Sequence, residues 1–65
     1  MTPVTHDDWD SFIQYRYCPG ATMREWSQRD GTRHKVLEYR GDAMHKTDHP
    51  DGTTTYYRYN PRTER

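Results

Sequence analysis

Histidine is the residue type in this chain best suited to binding a metal ion, and its spacing decides whether a site can form. His45 and His49 are four residues apart, which on a helix would place both rings on one ion. On an extended strand, which rises about 3.3 Å per residue, the same residues lie about 13 Å apart. His34 could approach His45 only across neighbouring strands, if their register permits it. Because strong metal sites come with closely spaced sets of Cys and His, we expect surface histidines and no metal site.

Cys18 is the single cysteine of the chain and its most obvious candidate nucleophile. A catalytic cysteine needs a neighbouring base or cation that stabilises its thiolate, and the sequence beside Cys18 provides neither. The chain also lacks a glycine-rich phosphate loop, a suitably spaced carboxylate pair and a serine elbow. We therefore predict no catalytic residue, no cofactor and no enzymatic activity. A lone cysteine also excludes an internal disulfide and fits a reducing compartment.

The C-terminal stretch Y-Y-R-Y-N-P-R-T-E-R interleaves aromatic rings with Arg58, Arg62 and Arg65. Nucleic-acid-binding proteins use this mixture, because rings stack on bases and arginines hold phosphates. The whole chain, however, has 10 Lys and Arg against 10 Asp and Glu, so it lacks the basic excess on which such affinity normally rests. Nucleic-acid binding is therefore the alternative function, and binding that falls steeply with salt would favour it.

Length and composition indicate one small domain covering residues 1–65. Branched aliphatic residues are scarce and the mean hydropathy is −1.48, but aromatic residues make up 14% of the chain. Since large rings bury much area per residue, they can form the core that aliphatic residues would otherwise supply. The first residues, M-T-P-V-T-H-D-D, lack both a basic start and an apolar run. We therefore expect a cytoplasmic protein without a signal peptide or a membrane span.

Residues 5–17 have the pattern of a helix at the start of the domain. Thr5, with Asp8 three residues later, forms a capping-box pattern. An apolar stripe follows at helical spacing, made of Trp9, Phe12, Ile13 and Tyr17. A residue before proline is pushed out of the helical region, so we expect the helix to end at Cys18, before Pro19.

The stretch Thr32 to Arg40, T-R-H-K-V-L-E-Y-R, organises the rest of the chain. It holds the adjacent pair Val36 and Leu37 between two glycine-containing turn signals, which is typical of the inner strand of an antiparallel meander. The two Asp-Gly pairs predict three-residue hairpin loops, and Gly41-Asp42 predicts a two-residue turn. The predicted strands cover residues 21–28, 32–40, 43–49 and 53–60, and a polar tail follows at 61–65.

These elements define an α+β fold, with one N-terminal helix packed on a four-stranded antiparallel β-meander. The turns predict the cross-strand pairs Met23–Leu37, Glu25–Lys35, Tyr39–Met44, Lys46–Tyr56 and Met44–Arg58. Side chains alternate along a strand, so one face collects the apolar residues on which we expect the helix: Met23, Leu37, Met44 and Tyr56. A slip of one residue in any turn would exchange the two faces.

A single helix cannot cover both faces of such a sheet, so an aromatic face is left over. Its central residues are Trp26, Val36, Tyr57 and Tyr59, with Arg24 and Arg40 at its margin. Trp, Tyr and Arg are enriched among the residues that contribute most to protein–protein binding. The alternative is that these rings are ordinary strand formers on a solvated face. The sequence thus predicts a small, non-enzymatic, intracellular binding module that modulates or adapts a larger protein partner through this face, or that forms a homodimer.

Overall fold

A computed structural model of the chain describes residues 1–63. It has a five-stranded antiparallel sheet in the order β1-β5-β4-β3-β2. The sheet and its helix confirm the α+β class. Neither helical segment in residues 1–63 has the length and apolar character that crossing a membrane requires. The elements are β1 (Thr2–Pro3), α1 (His6–Ile13), a 3₁₀ helix that continues it (Gln14–Tyr17), β2 (Thr22–Ser27), β3 (Arg33–Tyr39), β4 (Asp42–Asp48) and β5 (Thr54–Tyr59).

Strand β1 corrects the prediction of four strands preceded by a helix. It pairs with residues 57–58 at the outer edge of β5, before the helix begins. The Val4 backbone N–H then donates a hydrogen bond to the Tyr56 carbonyl over 3.0 Å. Two residues, one of them a proline, carry no alternating pattern, so the sequence did not predict this strand. Proline is tolerated there because an edge strand can leave one side unpaired.

Helix α1 begins where the sequence predicts but changes type before its end. The Asp8 backbone N–H donates to Thr5 Oγ1 over 3.2 Å, and the Thr5 N–H donates to Asp8 Oδ2 over 3.1 Å, so the capping box is present. The α-helix ends at Ile13, and a 3₁₀ helix continues to Tyr17. Cys18 has an extended backbone, with φ −75° and ψ 148°. The last turn tightens because the chain must leave the helical region before the following proline.

The two Asp-Gly hairpins have the three-residue loops that the sequence predicts. In the β2–β3 loop the Gln28 N–H donates to the Thr32 carbonyl over 2.8 Å, and in the β4–β5 loop the His49 N–H donates to the Thr53 carbonyl over 2.8 Å. The loops end in glycines with φ of +96° and +92°, a conformation that glycine adopts without strain. The predicted pairs across these hairpins are observed: Met23–Leu37, Glu25–Lys35, Lys46–Tyr56 and Met44–Arg58.

The turn between β3 and β4 lies one residue earlier than predicted. Its central residues are Arg40 and Gly41, with φ of 51° and 80°. Two positive φ values are typical of the type I′ turn that closes a two-residue hairpin. Leu37 is therefore opposite Met44, where the sequence predicted Tyr39. Because the register differs by two residues and not by one, both faces keep the predicted side chains.

The positive φ of Arg40 leads to a testable stability difference. A left-handed backbone costs a residue with a Cβ roughly 1 kcal/mol, a cost that glycine avoids. Arg40→Gly and Arg40→Ala both remove the guanidinium from the Tyr39 ring. The difference between their free energies of unfolding therefore reports the cost of the left-handed backbone. We expect Arg40→Gly to be more stable than Arg40→Ala by about 1 kcal/mol in urea unfolding. Equal stability of the two variants would contradict this turn geometry.

Helix α1 covers one face of the sheet, here called the helix face. Trp9 from the helix and Leu37 and Met44 from the sheet form the buried layer between them, with exposures of 4%, 0% and 8%. The Trp9 ring lies 6.1 Å from the Tyr56 ring. An indole and a phenol ring thus provide contact area that aliphatic side chains would supply in a less polar sequence.

The opposite face, here called the open face, also has buried residues at its centre. Val36 is 2% exposed and Ala43 is 0% exposed, although α1 lies on the other side of the sheet. Other groups on that side of the sheet therefore cover these two residues. The open face consists of Thr22, Arg24, Trp26, His34, Val36, Glu38, Ala43, His45, Thr47, Thr55, Tyr57 and Tyr59.

Candidate binding site

The strand register arranges the open face in three rows that cross the sheet. Side chains directly opposite on one face have Cβ atoms about 4.5–5.5 Å apart, so each row is a line of neighbouring side chains. The first row is Trp26, His34, Thr47 and Thr55; the second is Arg24, Val36, His45 and Tyr57; the third is Thr22, Glu38, Ala43 and Tyr59. The buried Val36 and Ala43 lie in the second and third rows, between strands that carry larger side chains.

A groove of about 510 Å³ lies on the open face. Val36, which is 2% exposed, forms its floor, and Trp26, which is 43% exposed, stands at its side. Its volume falls within the range of about 300–1,000 Å³ that is common for ligand-binding pockets. The groove can therefore accept one or two side chains of a partner. Its lining residues are Met1, Arg24, Trp26, Val36, Glu38, His45, Tyr59 and Pro61.

Polar groups of opposite charge lie along the groove. Arg24 Nη2 is 3.2 Å from Glu38 Oε1, and the two side chains are 58% and 34% exposed. An exposed ion pair of this kind contributes about 1 kcal/mol or less to stability, so it remains available for exchange with charged groups of a partner. Burial, and next the negative charge of Glu38, raise the pKa of Tyr59. The Tyr59 hydroxyl therefore keeps its proton at neutral pH and can donate a hydrogen bond.

The Trp26 indole is held by two histidine rings. His34 stacks on it, with ring centroids 4.8 Å apart and an interplanar angle of 14°, and the His45 ring lies 5.6 Å away. His34 Nδ1 is 2.9 Å from His45 Nε2, and His34 Nε2 is 2.9 Å from Gln28 Oε1. From the sequence, His34 and His45 could meet only if the strand register permitted it. The observed register brings the two rings into hydrogen-bond contact. Trp26 is therefore ordered before any partner arrives.

His45 has an altered proton affinity. Burial, then the neighbouring His34 and then the charge of Arg24, lower the pKa of His45 from its ordinary value of 6.5. All of these disfavour the charged imidazolium form. The His45 ring is therefore neutral at neutral pH, and one of its nitrogens keeps a lone pair.

The open face carries all four residues that the sequence placed at the centre of the binding face: Trp26, Val36, Tyr57 and Tyr59. It also carries Arg24, one of the two predicted marginal residues. Trp26, Val36 and Tyr59 line the groove, whereas Tyr57 is half-buried opposite His45 and outside that lining. Arg40 is not brought to this group. It lies in the β3–β4 turn, where its Cζ is 5.3 Å from the centroid of the Tyr39 ring, a side chain of the helix face.

The arginines of the alternative nucleic-acid surface are dispersed. Arg58 projects from the helix face, where its Nη2 is 2.9 Å from Asp42 Oδ1. Its ring-bearing neighbours Tyr57 and Tyr59 are on the open face, because side chains alternate along β5. Arg62 is exposed, and Arg65 lies outside the described residues. Within residues 1–63, Tyr56 therefore shares the helix face with Arg58, whereas Tyr57 and Tyr59 lie on the opposite face.

Alternation placed Glu38 and His45 on the face, but sequence reasoning counted neither them nor Met1 and Pro61 among the binding residues, and all four line the groove. The role of Glu38 and His45 depends on Arg24 and on the register. Met1 reaches the groove because β1 pairs with β5, and this two-residue strand left no signal in the sequence. Pro61 lies in the segment predicted as a polar tail.

Within residues 1–63, no group of three or more His, Cys, Asp and Glu side chains is arranged to hold a metal ion. Cys18 is a free, half-buried thiol at the end of the 3₁₀ helix. Cys18 adjoins Phe12, Tyr15 and Tyr39 in a shallow depression away from the groove.

Comparisons of the chain with protein-family models, with curated proteins and with solved structures found no match. The structure alone therefore defines the class. It is a small α+β domain in which one sheet face is covered by a short helix and the other carries an aromatic groove.

Proposed function

We propose that this protein is a small, non-enzymatic, intracellular binding module that modulates or adapts a larger protein partner. The partner, another protein or a second copy of this chain, covers the open face. The observation that carries the proposal is a Trp26 ring, 43% exposed, beside a groove whose apolar floor is already buried. A domain of 65 residues also has little room for a deep catalytic pocket.

The composition of the groove supports a protein partner. Trp, Tyr and Arg dominate the residues whose truncation costs most at protein interfaces, and Trp26, Tyr59 and Arg24 are together here. The groove pairs these residues with an apolar floor and a polar margin, the arrangement of a typical interface core and rim.

Preorganisation supports the same proposal. Trp26 is held by the stacked His34 ring, 4.8 Å away, and so loses less side-chain freedom when a partner covers it. Association costs about 0.5–1.5 kcal/mol for each flexible side chain that becomes immobilised. A ring ordered in advance avoids part of that cost.

Charge favours protein over nucleic acid. Arg24 on the open face is paired with Glu38, and Arg58 on the helix face is paired with Asp42. Affinity for a nucleic acid rests on an excess of cations, and on each face the arginine lies beside a carboxylate. The overall balance of 10 basic and 10 acidic residues agrees with this assignment.

The test is a double truncation of the groove. We expect Trp26→Ala with Tyr59→Ala to weaken partner binding by at least about 30-fold, since loss of a strongly contributing interface residue costs 2 kcal/mol or more. Tagged wild-type and variant proteins are used to capture partners from a native lysate with and without nuclease. The mass of each purified protein in solution reports self-association. Tyr17→Ala is the matched control, because Tyr17 is 84% exposed and lies on the 3₁₀ helix, away from the groove.

Three outcomes would contradict the proposal. One is undiminished capture and unchanged mass in a double variant that circular dichroism shows to be folded. Another is an equal loss with Tyr17→Ala, which would place the interface elsewhere. The third is capture that nuclease abolishes and that falls steeply with salt, which would favour the nucleic-acid alternative.

A further inference from the structure

The rings of His34 and His45 present two nitrogen atoms to the same point of the open face. His34 Nδ1 and His45 Nε2 are 2.9 Å apart, and they come from adjacent strands β3 and β4. Two metal–nitrogen bonds of about 2.0–2.1 Å at a right angle span about 2.9 Å between the nitrogens, whereas the tetrahedral angle spans about 3.3 Å. The nitrogens of this hydrogen-bonded pair are thus as far apart as adjacent ligands of a square-planar or octahedral ion, which would take the place of the shared proton.

We propose that His34 Nδ1 and His45 Nε2 form a two-histidine site for a divalent transition-metal ion with right-angled coordination, Cu²⁺ before Ni²⁺. Nitrogen ligands in tetragonal geometry are characteristic of these two ions, and Cu²⁺ binds most tightly among the divalent first-row metals. Water or a group of a bound partner completes the coordination. The proposal does not depend on the binding function proposed above.

Gln28 orients the first ligand. Its Oε1 accepts a hydrogen bond from His34 Nε2 over 2.9 Å, which leaves the proton of the neutral ring on Nε2 and the lone pair on Nδ1. Ligating histidines commonly donate their second N–H to an oxygen in this way. In the free protein His45 Nε2 then donates to His34 Nδ1; in the metal-bound form the remaining proton of His45 is on Nδ1. The change is a shift of tautomer with no net loss of a proton from the two neutral rings.

Other groups near the rings determine the local charge. Arg24 opposes a cation near His45, but its charge is paired with Glu38 at 3.2 Å. Asp30, the middle residue of the β2–β3 loop, is close enough to His34 for an electrostatic interaction. Thr47 Oγ1 lies 3.4 Å from His34 Nδ1 and is placed to contact a metal-bound water. The Trp26 indole, 4.8 Å from the His34 ring, provides a natural reporter of metal binding.

The experiment titrates the full chain with CuCl₂, NiCl₂ and ZnCl₂ and follows Trp26 fluorescence in a Trp9→Phe background. We expect saturable quenching by Cu²⁺ at one ion per chain, weaker affinity for Ni²⁺, and a Cu²⁺ paramagnetic resonance spectrum with two nitrogen ligands. His45→Asn should lower the Cu²⁺ affinity by at least tenfold. Gln28→Ala, which removes the orienting oxygen but leaves both ligands, should lower it by about 10-fold or more.

His49→Gln is the matched control, because His49 follows β4 outside the proposed site, and its Nε2 contacts Thr55 Oγ1. Its affinity for Cu²⁺ should equal that of the parent protein. Equal affinity of His45→Asn and the parent would overturn the site. So would a spectrum with one nitrogen ligand, or an equal loss with His49→Gln. If His45→Asn does not fold, Gln28→Ala decides the question, since unchanged affinity in that variant contradicts the orienting role and the site with it.

Discussion

Trp9→Ala is expected to lower the free energy of unfolding by about 3–5 kcal/mol, the usual cost of removing a large buried aromatic side chain. Trp9 is 4% exposed and is the buried residue of α1, so it attaches the helix to the sheet through Tyr56. A domain of 65 residues has a total stability of about 3–10 kcal/mol. Urea or thermal unfolding followed by circular dichroism should therefore show a variant that is largely unfolded or close to it.

The two tryptophans provide the control for this result. Trp9→Phe keeps a ring in the buried layer and should retain most of the stability. Trp26→Ala should cost about 1 kcal/mol or less, because Trp26 is 43% exposed and packs on histidine rings at the surface. If Trp26→Ala proved as destabilising as Trp9→Ala, Trp26 would be a structural residue and the proposed role of the open face would be wrong.

Leu37→Ala is expected to lower the free energy of unfolding by about 2–5 kcal/mol. Leu37 is 0% exposed at the centre of β3, the strand that lies between β2 and β4. The 3₁₀ helix contacts β3, and α1 contacts β4, which carries the paired Met44, so the cavity cannot close without moving a strand or a helical segment. The midpoint of urea unfolding reports the loss.

Leu37→Met is the matched control for that cavity. It conserves volume, and swaps of this kind usually cost less than about 1.5 kcal/mol. A loss of equal size in both variants would mean that the shape of the side chain, and not the cavity, determines the effect. An unchanged midpoint in Leu37→Ala would contradict the assignment of Leu37 to the core.

The parts of the fold that local patterns encode were predictable. Thr5 and Asp8 specify the start of α1, and the two Asp-Gly loops specify two hairpins. The predicted apolar stripe is right for Trp9, which is 4% exposed, and wrong for Tyr17, which is 84% exposed on the 3₁₀ helix. The adjacent pair Val36 and Leu37 identified an inner strand, because residues next to each other on a strand must be buried on opposite faces.

The parts that depend on distant pairing were not predictable. Strand β1 exists because β5 offers an unpaired edge, and two residues have no periodicity of their own. The β3–β4 turn was placed one residue late, since Arg40 in a left-handed conformation is unusual and Gly41 fits both alternatives. The contact between His34 and His45, 11 residues apart, follows from the register alone.

The candidate site was predictable as a face and not as a groove. Alternation along four strands placed Trp26, Val36 and Tyr59 on one side of the sheet. Alternation did not show that Val36 at the floor is 2% exposed while Trp26 remains accessible. The shape of the groove also depends on Met1 and Pro61, which reach the same surface from outside the four predicted strands.

A partner that covers the open face should protect its rings from oxidation, and hydroxyl-radical footprinting measures that protection directly. The free protein and its captured, nuclease-treated complex are oxidised briefly, and mass spectrometry gives the oxidation rates of Trp26, Tyr59 and Tyr17. We predict strong protection of Trp26 and Tyr59 in the complex and an unchanged rate at Tyr17, which is 84% exposed on the helix side. Equal oxidation of Trp26 in the free and bound protein would contradict the claim.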